Sequence, residues 1–172
     1  MIYTFGTTAR HNHLAGSLFA NVFEAIKNKS LVAFQEQCSL VFWGEKRNPS
    51  EVRLVDATAV DSNFLDIIYE LDCVQPDFML FKNNTFITNE KQTRFAGIPD
   101  LIIEIWSESN TPEEKFFKFK LYSNPLTEHW YITQDRNEVE CWIGDTRLPN
   151  QSLLNILKTK NNIEFDLRYL AL

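Results

Sequence analysis

The sequence predicts an α/β fold in which a central mixed sheet is flanked by helices, and three observations support this prediction. A strand with apolar residues on both faces, a loop and a helix follow one another between Gly97 and Tyr122. Helical periodicity runs from His11 to Lys27, and several short β-prone segments separate the two helices. Strands that are apolar on both faces are typical of sheets covered on both sides. At 172 residues the chain fits a single domain, 1–172, with a sizeable core.

The composition narrows the class of protein. Apolar residues make up 44% of the chain, and phenylalanine occurs 14 times, which indicates a folded chain. The net charge of −6 argues against broad coating of nucleic acid, but not against local contact with a phosphate backbone. We expect no signal peptide, no membrane-spanning helix and no membrane partner. Cys38, Cys73 and Cys141 form no zinc pattern with the histidines, so we expect small buried side chains in a cytoplasmic protein.

The first part of the chain is predicted to form a helix and then strands. In the helix, four apolar residues recur at intervals of four, which is typical of one buried face. They are Leu14, Leu18, Val22 and Ile26. Strands are expected at Leu31–Phe34, from Ser39 onward and at Val52–Ala57. Residues 58–70 fit either a loop or a loop with a short helix.

The rest of the chain is richer in strands. They are expected at Val74–Phe81, Trp130–Thr133 and Val139–Ile143, the last two as a hairpin. Pro76 must lie at a strand start or an edge, because it has no N–H to donate. Residues 83–94 are expected to form a surface loop, with or without a strand at Thr85–Thr88. Residues 148–172 are expected to contain short elements.

Two acidic residues lie in the apolar strand expected at Asp100–Trp106. Side chains alternate along a strand, so Asp100, Glu104 and Trp106 share one face. A buried carboxylate is costly unless it is paired or binds a metal. Asp100 follows Pro99 at the strand start, where a role in a turn fits as well as a role in a site.

The helix after this strand has a clear start and carries a lysine among apolar neighbours. Thr111 is a favourable N-cap, Pro112 fits the first helical position, and Glu114 should complete a capping box. Phe117, Lys118, Leu121 and Tyr122 are expected on one side of the helix. Lys120 points nearly the opposite way. Lys118 is therefore either a surface lysine whose stem covers apolar area or part of a site that faces the acidic strand.

Asp77, Glu104 and Lys118 form the candidate chemical group. Asp77 and Glu104 each lie within an apolar strand, and adjacent strands are about 4.8 Å apart. Two carboxylates on one face of neighbouring strands can share a hard cation such as Mg²⁺. With a lysine within reach, the set is typical of metal-assisted phosphodiester hydrolysis.

Five pieces of the chain follow the pattern of a known family. They are HNHLAGSL at 11–18, QPD at 75–77, GIPDLIIEIWSES at 97–109, Lys118 with Tyr122, and EHWYI at 128–132. In these pieces the chain resembles the bacterial putative restriction endonuclease family (Uma-type), which has the PD-(D/E)xK nuclease fold and was formerly a domain of unknown function. The resemblance extends over residues 5–143. It implies a restriction-endonuclease-like core and a DNA substrate.

The resemblance also implies roles for individual residues. Asp77 and Glu104, with the backbone carbonyl of Ile105, would bind Mg²⁺ or Mn²⁺. Lys118 would be the catalytic lysine, moved to the helix, since Trp106 stands where the wider fold has its lysine. Asp100, His11 and Tyr122 would surround these groups.

Two other functions stay open. The family usually begins with a helix and hairpin that this chain is too short to hold before His11. The main alternative is thus an inactive nuclease-fold relative that acts as a binding or dimerisation module. A metal-dependent hydrolase of a smaller phosphate ester is the other alternative.

We expect a homodimer, because Phe116 and Phe119 lie off the expected core side of their helix.

Overall fold

The computed structural model describes residues 8–28, 31–35, 39–41, 55–56, 73–82, 94–96 and 99–172. Statements below concern these residues. Cys38, the segment 58–70 and the strand considered at Thr85–Thr88 lie outside them.

The described residues form two α-helices, thirteen strands and a 3-10 helix. In chain order they are α1 (Ala9–Lys27), β1 (Leu31–Gln35), β2 (Ser39–Val41), β3 (Val55–Asp56), β4 (Cys73–Val74), β5 (Phe78–Lys82), β6 (Arg94–Ala96), β7 (Leu101–Trp106), α2 (Pro112–Tyr122), β8 (Glu128–Thr133), β9 (Glu138–Ile143), β10 (Thr146–Arg147), β11 (Gln151–Ser152), β12 (Leu157–Lys158), β13 (Glu164–Phe165) and the 3-10 helix Arg168–Leu170. The first helix, the buried strand with its helix, and the hairpin of β8 and β9 confirm the sequence predictions.

The central sheet is mixed, as predicted. Its strands follow the order β1-β5-β7-β8-β9-β10, and β11 also pairs with β9. β7 and β8 run parallel, whereas the other neighbours are antiparallel. The strands β3, β6, β2 and β4 form a second sheet, and β12 pairs with β13.

Helices cover both faces of the central sheet, which explains why β7 is apolar on both sides. On one face, α1 and the segment after β11 pack against β5, β7 and β8; the buried residues include Leu14, Leu18, Ile103, Trp130 and Phe165. On the other face, α2 contributes Tyr122, which packs with Ile102 and Tyr131. Cys141 is also buried, as expected. Glu104 shares its face with Ile102, since side chains alternate along β7, and so it lies beneath α2.

The buried side of α2 differs from the prediction. Phe117, expected on the core side, is 47% exposed. Phe119, expected outside, packs against His129 and Trp142 with ring centroids 5.4 and 4.9 Å apart. Phe119 packs against aromatic side chains of β8 and β9. The helix α2 is therefore rotated about its axis relative to the predicted orientation. Phe119 therefore no longer supports a partner surface, although Phe116 does remain 63% exposed.

The start of α2 follows the sequence signals in part. The Oγ1 atom of Thr111 accepts a hydrogen bond from the Glu114 N–H at 3.2 Å, and Pro112 takes the first helical position. The Glu114 carboxylate accepts from the Asn110 side-chain amide at 3.2 Å. Only the N-cap half of the expected capping box thus has its predicted partner.

Candidate active site

Lys118 and Glu104 form the centre of the site. The Lys118 Nζ atom lies 2.8 Å from Glu104 Oε2, and Glu104 is 1% exposed. A weaker contact of 3.7 Å joins Lys118 to Glu114, one turn earlier on α2. The ammonium group thus faces the buried strand, as expected for a site and unlike a surface lysine.

Tyr122 holds the other oxygen of the same carboxylate. It lies one turn after Lys118 on α2, and its hydroxyl donates a short hydrogen bond to Glu104 Oε1. Residues four apart on a helix share a face, so both donors reach one carboxylate. Glu104 therefore has a charged and a neutral donor in a dry environment, which compensates part of the cost of burying it.

Asp77 lies directly opposite Glu104. β5 and β7 are antiparallel with Phe78 paired to Ile103, which places Asp77, one residue before β5, across from Glu104. Its Oδ2 atom accepts from the Ile105 N–H at 2.6 Å. The carboxylate thus extends the hydrogen-bonded ladder by one residue before the start of β5 and is fixed beside Glu104.

His11 reaches the same carboxylate from α1. Its Nε2 atom lies 3.2 Å from Asp77 Oδ1, and the residue is 6% exposed. Thr8 caps α1 by accepting from the His11 N–H at 3.1 Å. The first turn of α1 is therefore placed at the sheet end where β5 begins and β7 ends.

Asp100 is not brought to this group. Its Oδ2 atom accepts from the Lys82 N–H at 2.8 Å, and its own N–H donates to the Leu80 carbonyl at 2.9 Å. These bonds lie at the start of β7, whereas Glu104 lies near its end. These contacts continue the pairing of β5 with β7, so they give Asp100 a structural role at the start of β7.

Burial and charge set the protonation of the site. Burial raises the pKa of Glu104 to about 7, with the Lys118 ammonium opposing the shift and the Asp77 carboxylate adding to it. Burial alone would lower the pKa of Lys118, but the carboxylates of Glu104, Asp77 and Glu114 together outweigh burial and raise that pKa. Burial, and then the Glu104 charge, hold the pKa of Tyr122 well above its usual value. Lys118 therefore stays charged at neutral pH, whereas the Glu104 carboxylate is partly protonated at neutral pH.

An aromatic group that the sequence interpretation did not assign lies beside the site. Tyr131 pairs with Glu104 in the parallel ladder and stacks on Trp106 with centroids 4.2 Å apart. Lys115 Nζ lies 4.9 Å above the Trp106 ring. His129 contacts the Tyr131 hydroxyl and the Gly144 carbonyl, each at 2.8 Å. Alternation in EHWYI places His129 and Tyr131 on one face, a signal that could have revealed them.

The donor set fits a hard divalent cation. Each of the four carboxylate oxygens of Asp77 and Glu104 has one hydrogen-bond or ion-pair partner. Since a carboxylate offers about four lone-pair positions, room for a metal bond remains on each group. Two carboxylates with water and substrate oxygens are a common Mg²⁺ environment. Within the described ranges, no three His, Cys, Asp or Glu side chains cluster as a metal site.

A surface pocket lies apart from the candidate site. An open, polar surface pocket is lined by Asn137, Glu138, Asn150 and Gln151 among others, and it contains none of the predicted site residues. In the described part of the chain, no helix has the length and apolar character needed to cross a bilayer.

Comparisons with known proteins agree with this architecture. The model of the family Uma2, described as "Putative restriction endonuclease", matches residues 6–164. No curated protein matches the chain. Among solved structures, the crystal structure of a putative nuclease belonging to DUF820 from Anabaena variabilis ATCC 29413 is similar, with a TM-score of 0.62 and 16% sequence identity. The match covers 99% of this chain and 87% of that one. It confirms the predicted restriction-endonuclease-like fold.

Proposed function

The chain belongs to the Uma2 family of putative restriction endonucleases, and from this premise and the geometry around Glu104 we propose that it is a metal-dependent endonuclease that hydrolyses DNA phosphodiester bonds. One observation carries the proposal. An ammonium group lies 2.8 Å from a buried carboxylate, and a second carboxylate lies opposite that one on the neighbouring strand. The catalytic residues proposed are Asp77, Glu104 and Lys118.

The metal would be held by Asp77, Glu104 and the backbone carbonyl of Ile105. Restriction-endonuclease-like nucleases generally use divalent metals, and we propose Mg²⁺ or Mn²⁺ because the donors are hard oxygens. When bound, such an ion polarises a phosphoryl oxygen and lowers the pKa of water.

The remaining steps rest on the side chains of the chain itself. Lys118 stays protonated and can donate to a phosphate oxygen as negative charge develops there. Tyr122 orients Glu104, while His11 and the Ile105 N–H orient Asp77. Positioned groups of this kind contribute by lowering the cost of reaching the reactive geometry.

The test is nicking of a supercoiled plasmid with Mg²⁺, with Mn²⁺ and with EDTA. We expect metal-dependent nicking by the wild type and none by Glu104→Gln. Glu24→Gln, which changes an exposed glutamate on α1, should nick like wild type. A single-stranded RNA substrate in parallel shows whether DNA is preferred. No nicking by pure wild type under any of these conditions would contradict the proposal.

The second candidate is an inactive member that binds or dimerises. The observation in its favour is that Asp77 and Glu104 are already satisfied by internal donors, so the site is stable without an ion. Light scattering tests the homodimer, which is proposed because two symmetric sites suit cleavage of both strands. A dimer without metal-dependent nicking would favour this candidate over the nuclease.

A further inference from the structure

Arg10 lies at the same end of the sheet as the proposed site. It precedes His11, whose Nε2 atom contacts Asp77. Its Nε atom donates to the Gln134 carbonyl at 2.5 Å, and the Gln134 N–H donates to the Trp106 carbonyl at 3.0 Å. Trp106 ends the strand that carries Glu104. The guanidinium is thus fixed between the start of α1 and the ends of β7 and β8.

The guanidinium has an unused donor in this position. Its Nη2 atom is buried and has no hydrogen-bond partner. Within the part of the chain that the structure describes, Arg10 also forms no ion pair with a carboxylate. A buried donor left without an acceptor is rare in folded proteins and asks for an explanation. Since Arg10 as a whole is half-buried, an anion can approach its other edge.

We infer that Arg10 binds a backbone phosphate of the substrate beside the bond that is cut. This inference rests on the proposed nuclease function and names a further substrate contact for it. Nε is held by Gln134 and Nη2 is buried, so the phosphate would contact the guanidinium at its other edge, through Nη1. A purely structural role would need only the bond from Nε to Gln134, whereas among the described residues no carboxylate balances the charge of Arg10.

The experiment measures how binding of a fluorescent 20-base-pair duplex depends on NaCl, with Ca²⁺ in place of Mg²⁺. The slope of log Kd against log salt reports the number of phosphates neutralised, at about 0.9 per contact. Arg10→Gln should reduce this slope by about 1 and weaken binding for all sequences alike. Arg10→Lys loses the Nε bond but keeps the charge, so its slope should stay close to that of wild type.

Arg147→Gln is the matched control, because Arg147 is exposed and pairs with the far end of β9. Its slope should not change. Should Arg10→Gln fail to fold, as judged by thermal melting, Arg10→Met serves as the second neutral variant.

The possible failures can be separated. If wild type nicks DNA but the neutral Arg10 variant keeps its slope, the inference about Arg10 is wrong and the nuclease proposal stands. If Arg10→Lys loses as much slope as Arg10→Gln, then Arg10 acts through its Nε hydrogen bond to Gln134 and not through its charge. This result would also overturn the inference. If wild type neither binds nor nicks DNA, the proposed function fails and the inference fails with it.

Discussion

Lys118 Nζ lies 2.8 Å from Glu104 Oε2, and this contact joins α2 to β7 in the middle of the central sheet. The exposed fractions of the two side chains are 16% and 1%. A pair at this depth is a poor source of net stability, because the desolvation of two charges offsets most of their attraction. Because Glu104 also lies opposite the Asp77 carboxylate, the arrangement is better explained by a catalytic role than by a contribution to stability.

Lys118→Met should abolish most cleavage while the protein stays folded. The lost ammonium would remove about 3 kcal/mol of transition-state stabilisation, by comparison with lost oxyanion donors, which corresponds to roughly a hundredfold in rate. The reduction should appear in kcat more than in KM, because the charge that Lys118 stabilises develops during the reaction. Single-turnover nicking assays measure it.

Lys120→Met is the control on the same helix, since Lys120 is exposed and lies over the Phe116 ring. It should cut like wild type. If both variants cut like wild type, Lys118 has no catalytic role. If both are equally impaired, α2 acts through its general charge rather than through one placed ammonium.

Tyr122→Phe should destabilise the protein, because it removes a buried donor from Glu104 Oε1. We expect a loss of about 1 to 3 kcal/mol in the free energy of unfolding, the usual cost of leaving a buried polar group unsatisfied. Urea denaturation at pH 8 measures it. Tyr169→Phe, at a position 68% exposed, should be neutral. An equally small change in both variants would show that water replaces the Tyr122 hydroxyl.

The stability of the metal-free protein should fall as pH rises from 5 to 8. Burial raises the pKa of Glu104 from 4.5 to about 7, so the folded state binds this proton more tightly than the unfolded state. The resulting stabilisation is fully present below pH 4.5 and is lost as pH rises through about 7. Over this range the wild type should lose about 2 kcal/mol relative to Glu104→Gln, whose amide does not titrate. Parallel stability curves for the two proteins would contradict the shift.

The contact between Glu104 and Lys118 was one of two interpretations that the sequence allowed for Lys118, and local rules support only part of it. Strand alternation fixes the face of Glu104, and Thr111 with Pro112 fixes where α2 begins. The position of Phe119 could not be predicted in this way. Which side of α2 is buried depends on the aromatic residues of β8 and β9, which are distant along the chain.

The contact between His11 and Asp77 illustrates the same limit. The family resemblance suggested that His11 belongs near the site, but periodicity alone gives only the buried face of α1. How far along the sheet the first turn lies depends on contacts distant in sequence, such as that of Arg10 with Gln134. Asp100 shows the same limit, because its carboxylate accepts from the backbone N–H of Lys82 on the neighbouring strand, 18 residues earlier in the chain.

Asp77→Asn should weaken Mn²⁺ binding by roughly tenfold or more, the range seen even for residues that only support metal ligands. The fold should survive, because the asparagine carbonyl can still accept from the Ile105 N–H as Asp77 Oδ2 does. Calorimetric titration at pH 8, where Glu104 is largely ionised, measures the affinity. Asp100→Asn is the matched control, since the Asp100 carboxylate accepts from the Lys82 backbone N–H at the other end of β7, and this variant should bind Mn²⁺ like wild type. Equal affinity in Asp77→Asn and wild type would remove Asp77 from the metal site and leave Glu104 as its only proposed carboxylate.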